Sequence, residues 1–273
     1  GRDARLYVDN QYGLFSAGRM GAMVGGNGPY ARFGHILSPF SCGWGNVGGH
    51  LQVMALGYEY VDNALAWASP KFAGFDATLQ YSNGTDAKNF GTGVEGKSSV
   101  ERMYAGALRY THNDLMVIGG IERINYAQPS ANDLGRKDAI SYNLGGSYQA
   151  GWAKFYAYGQ YFQNYTAAAR TTTFALPSGV DGWGANVGVD VPVSHGFIKA
   201  GLGYGDFKGS KDSDRTMKTW QAAVGYLLPL SKRTSLYTAA NYINSRYSDA
   251  QEAANPKAGK QVIDVIAGLM HKF

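Results

Sequence analysis

Long apolar runs, cysteine and charge are all scarce in this 273-residue sequence, and each scarcity excludes a class of protein. The longest apolar run lies around Leu115–Ile121, whereas a membrane-spanning helix needs ~20 such residues. Cys42 is the single cysteine, so a disulfide framework is excluded, and we interpret Cys42 as a loop thiol without a function. Charged residues make up 16% of the chain, against ~25% in an ordinary soluble domain. The composition therefore disfavours both a helical membrane protein and an ordinary soluble domain.

Residue clusters that carry catalysis, metal binding or nucleic-acid binding are also missing from the sequence. The sequence contains no G-x-S-x-G nucleophile elbow and no phosphate-binding loop. The net charge of +5 is spread along the chain, without a basic cluster interleaved with aromatic residues. We therefore expect no enzyme activity, no cofactor, no metal and no nucleic-acid partner. The five histidines form no metal-ligand spacing; they are His35, His50, His112, His195 and His271.

The sequence is rich in glycine and tyrosine and shows an alternation of period two. Ala139–Gln149, Gly182–Val191 and Gly196–Tyr204 each place apolar or aromatic residues on one face and small or polar residues on the other. In a bilayer, strands satisfy their backbone polar groups only in a closed barrel. The sequence therefore predicts an all-β fold, a transmembrane antiparallel β-barrel that forms a single domain over residues 1–273. The aromatic residues expected at the two membrane interfaces are Tyr104, Tyr110, Tyr142, Tyr148, Tyr161, Trp183, Tyr204, Trp220 and Phe273.

Short turns and long loops alternate along the chain. Outer-membrane barrels sort their connections in this way, with tight periplasmic turns and long extracellular loops, whereas a soluble barrel has no reason to do so. The segment 20–56 is too long and irregular to be a turn, and loops of that length are usually functional. The short turns are expected near 10–12, 70–74, 112–114, 150–151, 194–196 and 229–233, and the long polar loops near 82–99, 127–137, 167–180, 208–214 and 248–259.

Four sequence blocks carry a resemblance to a known family. The chain ends in Gly268–Phe273, which matches the pattern Gly-Leu-x-His-x-Phe, and Leu230–Tyr237 matches Leu-Ser-Lys-Arg-Thr-x-Leu-Tyr. The segment 62–75 contains Asp-Asn and then Ser-Pro-x-Phe-x-Gly-Phe, and Arg2, Gly13 and Arg19 fit a strand pair that precedes a long loop. In this order the blocks resemble the trimeric general porins of proteobacteria, especially the betaproteobacterial type. The extra residues in Tyr226–Leu230 depart from the family pattern.

The resemblance implies a diffusion porin of the Gram-negative outer membrane, surrounded by lipid and lipopolysaccharide and assembled as a homotrimer. It also implies passive passage of small polar or anionic solutes, and recognition of Leu269, His271 and Phe273 by the barrel-assembly machinery. About thirteen strands are expected in this sequence, whereas the family has sixteen. We therefore expect that three N-terminal strands are missing from the sequence. A naturally smaller barrel is the alternative. Since no signal peptide precedes the first expected strand, a mature or truncated form is expected.

The segment 21–56 occupies the position of the family's third loop, which the resemblance places in the lumen as the pore constriction. Between Arg19 and Glu59 the sequence contains no Asp or Glu, although cation-preferring porins place acids on this loop. A confined passage magnifies the effect of each remaining positive charge, so we predict a preference for anions or weak selectivity. A position of Arg19 or Arg32 away from the constriction is the alternative. The residues predicted at the constriction are Arg19, Arg32, His35 and His50.

Three further basic residues, Arg109, Lys154 and Lys199, lie within predicted strands. A basic side chain that faces lipid at mid-strand costs ~2–4 kcal/mol, so we expect all three to line the pore. The alternative is a residue at the rim that extends its charge to the headgroups, above all for Arg109, which is near a turn. A non-porin barrel that acts through its exposed loops, such as an adhesin, remains the alternative function.

Overall fold

The computed structural model describes residues 2–40, 44, 47–48, 53–85, 101–127, 137–166, 174, 176, 178–256 and 259–272. Within these residues, thirteen strands form one antiparallel sheet in which each strand pairs with its neighbours in the chain. A 3₁₀ turn spans Gly34–Leu37 and a short helix, α1, spans Asp249–Ala254. The strands are β1 (Ala4–Asn10), β2 (Gly13–Gly21), β3 (Tyr60–Ala68), β4 (Phe75–Ser82), β5 (Arg102–His112), β6 (Leu115–Asn125), β7 (Ala139–Ala150), β8 (Ala153–Tyr165), β9 (Val180–Val193), β10 (Gly196–Gly209), β11 (Thr216–Pro229), β12 (Thr234–Tyr247) and β13 (Gln261–His271).

The connections are sorted by length onto the two ends of the sheet. At one end, the strands are joined by the short segments 11–12, 69–74, 113–114, 151–152, 194–195 and 230–233. At the other end, they are joined by 22–59, 83–101, 126–138, 166–179, 210–215 and 248–260. The predicted alternation of short and long connections is therefore confirmed, as is the antiparallel all-β class. No helix within the described residues is both long enough and apolar enough to cross a membrane.

The two faces of the sheet differ in chemistry. One face is apolar and exposed, and Leu108, Leu144, Leu202, Val224 and Leu269 are each more than half exposed there. We call it the outer face, because an apolar surface of this kind suits lipid. Aromatic side chains pair across strands near both ends of the outer face, as the sequence predicts. Their ring centroids are 5.1 Å apart for Tyr81–Tyr104, 5.5 Å for Trp183–Tyr204, 5.2 Å for Trp220–Tyr242 and 4.6 Å for Phe75–Tyr110.

The opposite face, which we call the inner face, is covered by the β2–β3 loop (residues 22–59). Buried apolar side chains of this loop pack on the strands, among them Phe33 and Leu37 against Tyr158, and Phe40 against Ala223. Close approach depends on glycines of the inner face. A Cβ at Gly184 would overlap the Val53 carbonyl oxygen, and Cβ atoms at Gly188, Gly145 and Gly120 would overlap Pro39, Leu37 and Phe33. Glycine in these strands thus marks the sites where another backbone lies close to the sheet.

The first and last described strands differ from the others in having a single strand neighbour. β1 pairs with β2 and β13 pairs with β12, and the sheet order does not join β1 to β13. The expected thirteen strands are therefore confirmed for the described part of the chain. The count of sixteen stays a prediction.

Replacement of Gly184 by alanine tests the packing of the β2–β3 loop on the sheet. We expect Gly184→Ala to lower the free energy of unfolding by about 1–3 kcal/mol, because the added methyl group must displace backbone at Val53. Thermal unfolding in detergent measures the change. The matched control is Gly159→Ala in the adjacent strand, where the nearest atom to a new Cβ is 4.0 Å away. Equal stability of the two variants would contradict this packing.

Candidate functional site: the β2–β3 loop and the inner face

Two glutamines of the inner face bind backbone groups at the two ends of the β2–β3 loop, including the last residue of β2. Gln80 on β4 accepts a 2.8 Å hydrogen bond from the Met23 N–H and donates one of 2.9 Å to the Gly21 carbonyl. Gln160 on β8 accepts from the Ala55 N–H at 2.8 Å and donates to the Ala55 carbonyl at 2.9 Å. Each side-chain amide thus satisfies one donor and one acceptor of buried backbone, as a neighbouring strand would. These two contacts fix the first and last parts of the loop.

Further polar contacts hold the middle of the loop. The Tyr30 hydroxyl donates to Ser16 Oγ on β2 at 2.7 Å, and Asn186 on β9 donates to the Leu37 carbonyl at 3.4 Å. The loop therefore lies along a large part of the inner face, from β2 to β9. Its contact with β12 is aromatic, because the rings of Trp44 and Tyr237 are 4.9 Å apart.

Arg32 connects the loop to a charged pair on β4 and β5. Its Nε donates to Thr78 Oγ1 at 2.9 Å, and its Nη1 donates to the carbonyls of Pro29 and Ala31. On the strands, Asp76 and Arg109 are register partners and form an ion pair with an Nε–Oδ2 distance of 2.9 Å. Two guanidinium groups and one carboxylate therefore lie near one another on the inner face, near the end of the sheet that carries the short turns, and the carboxylate pairs with Arg109.

The charges of Arg109 and Asp76 both affect the pKa of Arg32 in the loop. Burial lowers the pKa of Arg32, and the positive charge of Arg109 lowers it further, whereas Asp76 and Tyr30 act in the opposite direction. An arginine keeps its proton at any physiological pH despite such a decrease. Arg32 and Arg109 are thus two like charges held close together, and within the part of the chain that the structure describes Asp76 is the carboxylate that acts on both.

Lys199 and Lys154 belong to a second group with the same ratio of charges, on β8, β9 and β10. The Lys199 ammonium lies 2.6 Å from Asp190 Oδ1, and the Tyr156 hydroxyl donates to Asp190 Oδ2 at 3.1 Å. Lys154 is the register partner of Asp190, and its ammonium lies 5.0 Å from the centroid of the Tyr156 ring. The side chains of Arg109, Lys154 and Lys199 all belong to the inner face, and their role in lining a pore stays a prediction.

Arg19 lies at the opposite end of the sheet, where the long loops emerge. Its Nη1 forms an ion pair of 2.7 Å with Asp62 on β3, and its guanidinium lies 5.5 Å from the centroid of the Tyr60 ring. The absence of acids from the segment after Arg19 therefore does not leave this arginine uncompensated, because its acid comes from the strand that follows the loop. The structure places Arg19 and Arg32 in two separate groups.

The other predicted site residues have different surroundings. His35 is buried in the 3₁₀ turn of the loop. His50 and Phe273 lie outside the described residues. Leu269 and His271 are exposed on the last strand, where His271 Nδ1 lies 2.9 Å from Thr234 Oγ1 of β12. Sequence reasoning missed the acids that match the basic residues, although Asp76 alternates with Thr78 and Gln80, a pattern that marks a polar face.

The family of the chain is evident from the comparison of its whole sequence with known proteins. A family model described as Gram-negative porin matches residues 1–248. The chain belongs to this family, and it is a β-barrel protein of the bacterial outer membrane. The family and the fold point to a channel rather than to an enzyme. The resemblance found in the four sequence blocks is thereby confirmed.

Individual relatives agree with this assignment. An outer membrane porin protein of Bordetella pertussis is 26% identical over 272 residues, and the match covers 88% of this chain and 65% of the relative. The chain thus spans just under two thirds of that relative. The anion-selective porin from Comamonas acidovorans matches with a TM-score of 0.71 at 21% identity, over 100% of this chain and 78% of that one. The channel DcaP of Acinetobacter baumannii matches at 0.62 and 14% identity, over 100% and 75%.

Loss of one glutamine contact should loosen the β2–β3 loop without disturbing the strands. In Gln160→Leu, the N–H and the carbonyl of Ala55 lose their partners, and each unsatisfied buried group costs about 1–3 kcal/mol. We expect amide hydrogen exchange at residues 53–56 to accelerate at least roughly tenfold. Mass spectrometry of peptides from the exchanged protein measures this rate.

The control for this experiment is Gln163→Leu, the same substitution on the outer face of the same strand. It should leave exchange at residues 53–56 unchanged. Equal exchange in both variants would show that Gln160 does not hold the loop.

Proposed function

We propose that the chain forms the wall and constriction of an outer-membrane diffusion porin that passes small hydrophilic solutes and prefers anions. The observation that carries this proposal is the excess of positive charge in two groups on the inner face. Asp76 pairs with Arg109 beside Arg32, Asp190 pairs with Lys199 beside Lys154, and the sequence from 20 to 58 contributes no acid. Each group therefore has a formal charge of about +1 beside the loop that any permeating solute must pass.

The position of these charges supports selectivity rather than blockage. A unit charge ~6 Å from a permeating ion contributes about 0.7 kcal/mol in bulk water, and low-dielectric walls increase that value. This attraction is strong enough to raise the local concentration of anions and weak enough to let them leave. The proposal also agrees with the name of the structurally similar protein from Comamonas acidovorans, an anion-selective porin.

The constriction that we propose differs from the ring expected from the sequence. Arg32 and Arg109 are its central members, with His35 nearby in the loop and Lys154 and Lys199 further along the inner face. Arg19 contributes less, because Asp62 neutralises it at the other end of the sheet. His50 stays a predicted member.

The partners of the protein are inferred from the family and from the outer face. Lipid and the acyl chains of lipopolysaccharide suit the exposed apolar residues between the aromatic belts. A homotrimer is the assembly that we propose, because the resemblance is to trimeric porins. We further propose that Leu269, His271 and Phe273 are read by the barrel-assembly machinery. The solutes are small anions and small polar molecules, and no cofactor takes part.

Reversal potentials across a planar bilayer with a potassium chloride gradient test the proposed selectivity. The full-length protein should conduct and prefer chloride. Arg109→Gln should lower the chloride-to-potassium permeability ratio about tenfold, because one unit charge at ~6 Å in water changes the local concentration of each ion about threefold, in opposite directions. Asp76→Asn should raise the ratio, because it removes the negative charge that pairs with Arg109 and acts on Arg32.

The matched control is Arg123→Gln, which removes the same charge from the outer face of β6. It should leave the ratio unchanged. A preference for potassium in the unaltered protein would refute the proposal of anion preference. A protein that inserts but does not conduct would refute the porin function and favour a barrel that acts through its exposed loops.

A further inference from the structure

A basic pocket lies on the inner face at the end of the sheet that carries the short turns. It has a volume of about 240 Å³, which exceeds the ~30 Å³ that one liquid water occupies, so a small ion with part of its hydration shell fits inside. Four basic residues line it, together with an aromatic ring and a hydroxyl group. They are Lys199, Lys232, Arg233, Lys272, Trp44 and Ser235.

The basic residues converge from three separate parts of the chain. Lys199 belongs to β10, Lys232 and Arg233 form part of the turn between β11 and β12, and Lys272 follows β13. The register of the last two strands pairs Ser235 with Met270 and Thr234 with His271. Arg233 and Lys272 therefore lie opposite each other, and the Lys272 N–H donates to the Arg233 carbonyl at 2.8 Å. Strand pairing thus holds the two positive charges together.

Such an arrangement is unfavourable without a counter-charge. Like charges directly opposite each other on paired strands destabilise the pair. Among the described residues that line the pocket there is no Asp or Glu. Asp190 compensates Lys199 at 2.6 Å, which leaves an excess of three positive charges from Lys232, Arg233 and Lys272. The fold therefore brings together positive charges that a bound anion would balance.

The chemistry of the lining residues points to an oxyanion as that anion. The planar fork of an arginine matches two oxygens of a phosphate or carboxylate, and lysine ammonium groups add point charges around it. The hydroxyl of Ser235 supplies a neutral donor. We propose that this pocket is a binding site for multivalent oxyanions of the inorganic phosphate type, at the short-turn mouth of the inner face.

The site is distinct from the charged group of Arg32 and Arg109. It uses Lys199 from the second charged group, and its other three basic residues belong to turns and strand ends. Trp44, the loop residue that lines it, packs against Tyr237 of β12. A role in the passage of anions rests on the proposed porin function, because it requires a conducting barrel. The binding of phosphate itself does not require conduction.

Titration of the full-length protein in detergent with inorganic phosphate, followed by phosphorus NMR line broadening, tests the binding. The unaltered protein should bind phosphate saturably. The double variant Arg233→Gln, Lys272→Gln should raise the half-saturating concentration roughly tenfold or more, because it removes two charge-assisted contacts. The matched control is Lys71→Gln, an exposed lysine in another short turn that does not line the pocket. It should leave the half-saturating concentration unchanged.

Non-saturable binding, or equal half-saturation in all three proteins, would overturn the site. If the double variant does not fold, Lys232→Gln in the exposed turn provides the same comparison with a smaller expected change. Phosphate should also block chloride current in a bilayer, with the same order of half-blocking concentrations among the variants. If phosphate binds but the protein carries no current, the porin function is refuted and the phosphate site stands. If the protein carries current but phosphate neither binds nor blocks it, the phosphate site is refuted and the porin function stands.

Discussion

The close contact between the β2–β3 loop and the glycine-containing inner face determines the rest of the structure. A loop buried against the face of a sheet has backbone polar groups that water no longer solvates, and each of these groups needs a hydrogen-bond partner. Gln80 and Gln160 provide such partners at the two ends of the loop. Gly184 and Gly188 let the backbone approach closely enough for those bonds to form. The loop can thus lie along the inner face without strands of its own.

The charge of the inner face follows from where this contact places the loop. Arg32 reaches Thr78 because the loop returns to β4, and there it meets Asp76 and Arg109. Residues 22–58 of the loop contain no acid and Glu59 follows at its end, so the carboxylate beside Arg32 and Arg109 comes from the strands, as Asp76. The anion preference that we propose for the pore would come from a few fixed charges at short range, rather than from the modest net charge of +5.

Much of this fold could be predicted from the sequence, because the relevant signals are local. Alternation identifies strands such as β7 and β10, and turn residues identify the ends of the sheet. The position of the loop on the inner face came from family resemblance, since no local pattern in 22–59 specifies a partner. The pairing of Asp76 with Arg109 depends on the register between β4 and β5, which alternation alone does not determine. The basic pocket was missed for the same reason, because Lys272 meets Arg233 only through the register of β12 and β13.

A disulfide between loop and sheet would test most directly whether the β2–β3 loop lines an open anion pathway. A Cβ at Gly145 would lie 2.4 Å from Leu37 Cδ1, so Leu37→Cys with Gly145→Cys, in a Cys42→Ser background, places two thiols on facing parts of the loop and the sheet. The structure predicts that the disulfide forms on mild oxidation and that the oxidised channel still conducts and still prefers chloride. Failure of the disulfide to form in the folded barrel, or loss of current when it forms, would contradict a loop that rests on the inner face beside the pathway.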